Sequence, residues 1–162
     1  MTDVKGILVP TDFTETSDAA VKYAIDMAQA LGGQLYLLHV PGETGENFEA
    51  NFPVGRFVTA ARERLGLSPE AIGRLRPEYA LRIGTPAVEI VRYAEDRDVD
   101  LIVMGTHGRT GVAHLLMGSV AEHVIRTAPC SVLLVRHPKH AFFRSQAVSA
   151  AEVAATSAPS PV

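Results

Sequence analysis

The chain has 162 residues, 47% of them hydrophobic and 20% charged, with a formal net charge of −3. This length suits one domain burying about 70% of its unfolded surface, and the balance excludes a wholly disordered chain and a basic nucleic-acid footprint. Cys130 is the sole cysteine, which excludes an intramolecular disulfide and a cysteine-based zinc site.

No apolar run reaches the roughly 18 residues of a membrane helix. Met1 to Lys5 lack the basic-then-apolar order of a signal peptide, so the default expectation is a cytoplasmic protein with neither nucleic acid nor membrane as partner.

Gly6-Ile7-Leu8-Val9-Pro10 is apolar without alternation, as in a parallel strand covered on both faces. Val21, Ala24, Ile25, Ala28 and Leu31 share one helical stripe, and Gly32-Gly33 stops that helix. Gln34 to Val40 reads as a second strand. Residues 42–53 read as a polar loop, and a helix is expected around Arg56–Leu65. Glu78 to Ile83 alternates and suits an edge strand. Thr85-Pro86 supplies an N-cap and a first-turn proline for a helix with the stripe Ala87, Ile90, Val91 and Ala94. Leu101 to Gly105 and Ser131 to Val135 are continuous apolar strands. Between them Val120, Ala121, Val124, Ile125 and Ala128 form a stripe stopped by Pro129.

This alternation predicts an α/β fold: a single doubly wound three-layer domain around a five-stranded parallel sheet. Ligands of such sheets sit outside the strand carboxyl ends at the switch point, here just after Val9, Val40 and Met104. The domain is expected over residues 1–137, followed by an extension, 138–162. Ala147 to Val162 is mostly Ala, Ser and Pro with the single charge Glu152, so the extension is expected to be largely disordered. Phe142-Phe143 is its apolar exception, either a local packing anchor or a partner contact.

The most informative stretch is Met104-Gly105-Thr106-His107-Gly108-Arg109-Thr110-Gly111, which leads through Met117 to Gly118-Ser119-Val120. Its glycines let backbone N–H groups form an anion-binding concavity. Gly118-Ser119 opens a helix whose N-terminus favours phosphate, so the two ends of the segment could grip one polyphosphate. The stretch does not match the Walker A pattern or the dinucleotide pattern G-x-G-x-x-G.

The spacing Gly105-x2-Gly108-x9-Gly118-Ser119 resembles the nucleotide motif of the universal stress protein family. Ile7-Leu8-Val9-Pro10-Thr11-Asp12-Phe13, Gly84-Thr85-Pro86 and Asp100 to Gly105 resemble the family as well, and the likeness runs from about Val4 to Arg136. It implies an adenine-nucleotide alpha-hydrolase-like sheet with strand order 3-2-1-4-5, and membership of the ATP-binding subgroup. It implies adenine near Pro10, Thr11, Asp12 and Val40, ribose near Met104 and Gly105, and phosphates at Gly108, Arg109, Gly118, Ser119 and Val120. ATP, ADP or AMP would be the ligand, with Mg²⁺ held mostly through phosphates and water and Asp12 or Glu15 as candidate helpers. Plainer roles stand beside these: Asp12 as a turn cap, Arg109 as a solvated charge, Ser119 as an N-cap.

His39, His107, His114 and His123 show no metal-ligand spacing, and Cys130 reads as a small buried residue. Arg109 can stabilise phosphate charge, yet no base is legible, so any ATP hydrolysis should be slow. The expected function is a nucleotide-dependent stress-response regulator. The alternatives are a slow ATPase or self-phosphorylating enzyme, with Ser119 or a loop threonine as acceptor, and an interaction module holding AMP or no nucleotide. The apolar last strand, Ser131 to Val135, would end the sheet and invites a homodimer. The resemblance points the same way.

Overall fold

A computed structural model of the chain describes residues 4–41, 59, 62–63, 68–106 and 117–136. Five strands alternate with helices: β1 (Gly6–Pro10), α1 (Glu15–Leu31), β2 (Gln34–His39), α2 (Pro69–Leu75), β3 (Glu78–Leu81), α3 (Pro86–Asp96), β4 (Leu101–Gly105), α4 (Ser119–Thr127) and β5 (Ser131–Val135). The sheet order is β3-β2-β1-β4-β5 and every pairing is parallel. This is the order 3-2-1-4-5 implied by the sequence resemblance. The chain winds outward from β1 to β3, returns to place β4 beside β1, and continues to β5. The switch point therefore lies between the carboxyl ends of β1 and β4.

The apolar runs are continuous because successive side chains feed two separate cores. Ile7 and Val9 of β1, Leu35 and Leu37 of β2 and Leu101 and Val103 of β4 pack with Ala20, Val21, Ala24, Ile25 and Ala28 of α1. Leu8, Leu38, Ile102 and Met104 face the other way, onto Ala87, Ile90, Tyr93 and Ala94 of α3 and Ala121 and Val124 of α4. Ile7, Leu8 and Val9 are fully buried, each worth about 1.5–3 kcal/mol relative to exposure. The result is a three-layer sandwich with helices on both faces of the sheet.

Local signals set the helix ends. Thr14 caps α1, its Oγ1 accepting from Ser17 N, and Gly32 closes the helix at φ 69°, where a side chain would be strained. Thr85 is the N-cap of α3 with Pro86 following, yet its side chain makes no capping hydrogen bond. At the other end of the sheet the Asp100 carboxylate accepts from Lys5 N at 2.7 Å and Gly6 N at 2.8 Å, tying the entry of β1 to that of β4.

Some sequence expectations shift. Leu31 and Ile125 belong to the apolar stripes but are exposed, at the stripe margins, while Tyr93 is buried at 2% exposure. The second strand stops at His39 and the third at Leu81. Helix α2 was not expected. The loop at 42–53 and most of the helix at 56–65 lie outside the described residues; Thr59, Arg62 and Glu63 are helical. The extension at 138–162, with Phe142 and Phe143, also lies outside them.

Candidate functional site at the strand carboxyl ends

The turn after β1 is built from its own side chains. Pro10 ends the strand and Thr11 is buried. Thr11 N donates to Leu38 O at 2.8 Å, carrying the β1–β2 ladder past the strand end. Thr11 Oγ1 accepts from Phe13 N at 3.1 Å and lies 3.2 Å from Ser17 Oγ. Asp12 Oδ1 accepts from Thr14 N at 3.1 Å and from Thr14 Oγ1 at 2.7 Å. Asp12 thus serves as the cap of this turn, the plainer of the two roles the sequence offers it. Phe13 sits at φ 63°, in the left-handed region that non-glycine residues seldom occupy.

Two positions at the end of β2 complete this side. Val40, directly after the strand, is partly buried against the core shared with α3 and α4. His39, 4% exposed, brings Nδ1 to 2.7 Å from Thr11 O. A carbonyl only accepts, so Nδ1 carries the hydrogen. The imidazole also meets the Phe13 ring, centroids 4.8 Å apart.

The other side is the end of β4. Met104 is buried and Gly105 is the last strand residue. The resemblance puts Gly105 near the ribose, and its immediate surroundings give it a packing role as well. A β-carbon there would stand 2.8 Å from Thr16 Cγ2 and 3.1 Å from Thr16 O, so the missing side chain lets β4 meet the first turn of α1. Thr106 N donates to Val135 O at 3.1 Å, and Thr106 O accepts from Gly118 N at 2.7 Å. This last bond draws the start of α4 to the carboxyl end of β4. Gly118 is the N-cap and has no side chain to offer. Ser119, read as a possible N-cap, is instead the first helical residue and is exposed; Val120 follows, partly buried. First-turn N–H groups of a helix have no carbonyl partner within it and attract anions.

Nine of the eleven residues singled out from the sequence are therefore placed at one end of one sheet: Pro10, Thr11, Asp12, Val40, Met104, Gly105, Gly118, Ser119 and Val120. Gly108 and Arg109 lie outside the described residues. Among the described residues no group of three His, Cys, Asp or Glu side chains could hold a metal ion, and no helix is long and apolar enough to cross a membrane. Cys130 is half-buried just before β5, where burial and the nearby Asp100 carboxylate push its thiol pKa up, the opposite of a reactive thiolate. Sequence reasoning missed His39. The available signal was a histidine interrupting the apolar run Leu37-Leu38-His39-Val40 at a strand's carboxyl end.

Comparison with known proteins agrees with this fold. The profile of the universal stress protein family matches residues 4–136. The chain is 35% identical over 144 residues to universal stress protein MJ0531 of Methanocaldococcus jannaschii, covering 83% of this chain and 84% of that one. Among solved structures, the universal stress protein UspA from Lactobacillus plantarum superposes with a TM-score of 0.68 at 26% identity, covering 84% of this chain and 100% of that chain. A universal stress protein solved in complex with cAMP superposes with a TM-score of 0.65 at 26% identity, covering 84% and 99%.

Proposed function

The chain belongs to the universal stress protein family, and from that premise we propose that it binds ATP, or AMP or ADP, at the carboxyl ends of β1, β2 and β4 and acts as a nucleotide-dependent regulator in the cytoplasm. The observation that carries this reading is the 2.7 Å hydrogen bond from Gly118 N to Thr106 O. It closes the spaced glycine motif so that the α4 N-terminus stands beside the switch point. Such a helix end favours phosphate, and Gly118 has no β-carbon to hold an incoming anion off the backbone. The residues fit the ligand in kind: the turn at Pro10, Thr11 and Asp12 with Val40 for the base, Met104 and Gly105 for the ribose, and Gly108, Arg109, Gly118, Ser119 and Val120 for the phosphates. A relative that binds cAMP supports an adenine nucleotide. Mg²⁺ would accompany ATP through phosphate oxygens and water, with Asp12 and Glu15 the carboxylates on this side.

Regulation is preferred to catalysis on the sequence, in which Arg109 can stabilise phosphate charge but no general base is legible. The apolar edge strand β5 supports a homodimer through that strand. Replacing Gly118 with Val tests the phosphate site. Loss of ATP binding with the melting temperature retained is the expected result; wild-type affinity in Gly118→Val would place the phosphates elsewhere.

A further inference from the structure

We propose that His39 is a positioning residue of this site, a lock that holds the turn after β1 in its ligand-ready form. The proposal deepens the nucleotide reading above and rests on it.

Two costly features meet at this one point. A buried imidazole gives up hydration that an apolar residue would not need to lose. Phe13 occupies a left-handed conformation that costs a non-glycine residue on the order of 1 kcal/mol or more. His39 touches both arms of the turn. Its Nδ1–H donates to Thr11 O at 2.7 Å, and its ring lies against Phe13 with centroids 4.8 Å apart at an interplanar angle of 53°. Between those two contacts lies Asp12, whose Oδ1 is already drawn to Thr14.

The position of the backbone from Pro10 to Asp12 is thus fixed from β2, by a side chain that need not touch the ligand. An unlocked turn would spread over several conformations. Only the competent fraction binds, so the apparent affinity falls by that fraction while the bound contacts stay the same.

The test compares wild type, His39→Gln, His39→Asn and Phe13→Gly by calorimetric titration with ATP and Mg²⁺. Each variant is also melted, and amide exchange at Phe13 and Thr14 is followed in nucleotide-free protein. Asn places its amide nitrogen as many bonds from Cα as imidazole Nδ1, so it can donate to Thr11 O; Gln places it one bond further out. The lock predicts Kd raised by about tenfold in His39→Gln, recovered most of the way in His39→Asn, and raised in Phe13→Gly, with faster amide exchange wherever Kd rises. Lower melting temperatures with wild-type Kd in every variant would make His39 a stability residue and overturn the proposal alone. A wild type that binds no adenine nucleotide overturns the nucleotide reading and the lock with it.

Discussion

Gly105 at the end of β4 and Thr16 in the first turn of α1 stand in such contact that a β-carbon on the glycine would lie 2.8 Å from Thr16 Cγ2. The first glycine of the spaced motif is therefore a packing position, and the turn carrying Thr11 and Asp12 is braced against the strand carrying Met104. Gly105→Ala should push α1 away and cost about 1–3 kcal/mol, the usual range for overpacking. Urea denaturation measures it, and a change under about 0.5 kcal/mol, the scale of ordinary surface substitutions, would show that the contact relaxes freely.

At the opposite end of the sheet the Asp100 carboxylate holds two backbone N–H groups, Lys5 and Gly6. Asp100→Ala should cost about 2–3 kcal/mol, since hydrogen bonds to an ionised group are the stronger kind. Asp100→Asn retains an acceptor oxygen and should cost less. A loss under about 0.5 kcal/mol in Asp100→Ala, read as a midpoint shift in urea, would mean that the charge and its bonds contribute little.

Tyr93 is the most buried aromatic of the α3 core, and its hydroxyl donates to Glu78 Oε1 at 3.3 Å. Burial, then the Glu78 carboxylate, push its pKa up to about 12, against the opposing pull of Arg97. A group whose folded pKa is raised stabilises the fold below its unfolded pKa and loses that contribution as pH climbs towards the folded value. Here the window runs from about pH 10 to 12, and the fold loses stability across it. Absorbance titration of tyrosinate should show a component near pH 12 that vanishes in Tyr93→Phe; a single component near pH 10 for all tyrosines would contradict the burial argument.

The β5 edge supplies a prediction about assembly. Val132 and Leu134 face the α3–α4 core and Leu133 faces the α1 core, all three partly buried. Two such edges pairing about a twofold axis give a closed dimer. Light scattering should return a mass near twice 17.3 kDa, and Val132→Lys or Leu134→Lys should shift it towards the monomer. A monomeric wild type at high concentration would remove the strand-edge interface.

Most of the sheet was legible in the sequence because each central strand is buried on both faces. The runs Ile7-Leu8-Val9 and Leu101-Ile102-Val103-Met104 carry no polar residue for that reason. Helix α2 was not legible: it is short and holds Gly73 in its interior, and periodicity needs length to register. Tyr93 escaped the apolar stripe because its hydroxyl reads as polar, yet Glu78 lets it enter the core. The site divides in the same way. Spacing located Gly105 and Gly118 but not the close approach of Thr16 to Gly105, since no sequence pattern reports that Thr16 packs over it. The His39–Thr11 bond joins residues 28 positions apart and became visible only once β1 and β2 were paired.

The central claim is nucleotide binding at the switch point, and calorimetric titration of ATP with Mg²⁺ into the full chain tests it most directly. The account predicts saturable binding with Kd on the order of 1 μM, about −8 kcal/mol. No heat of binding, together with no rise in melting temperature at roughly millimolar ATP, a concentration at which micromolar affinity would stabilise the fold by several kcal/mol, would contradict it.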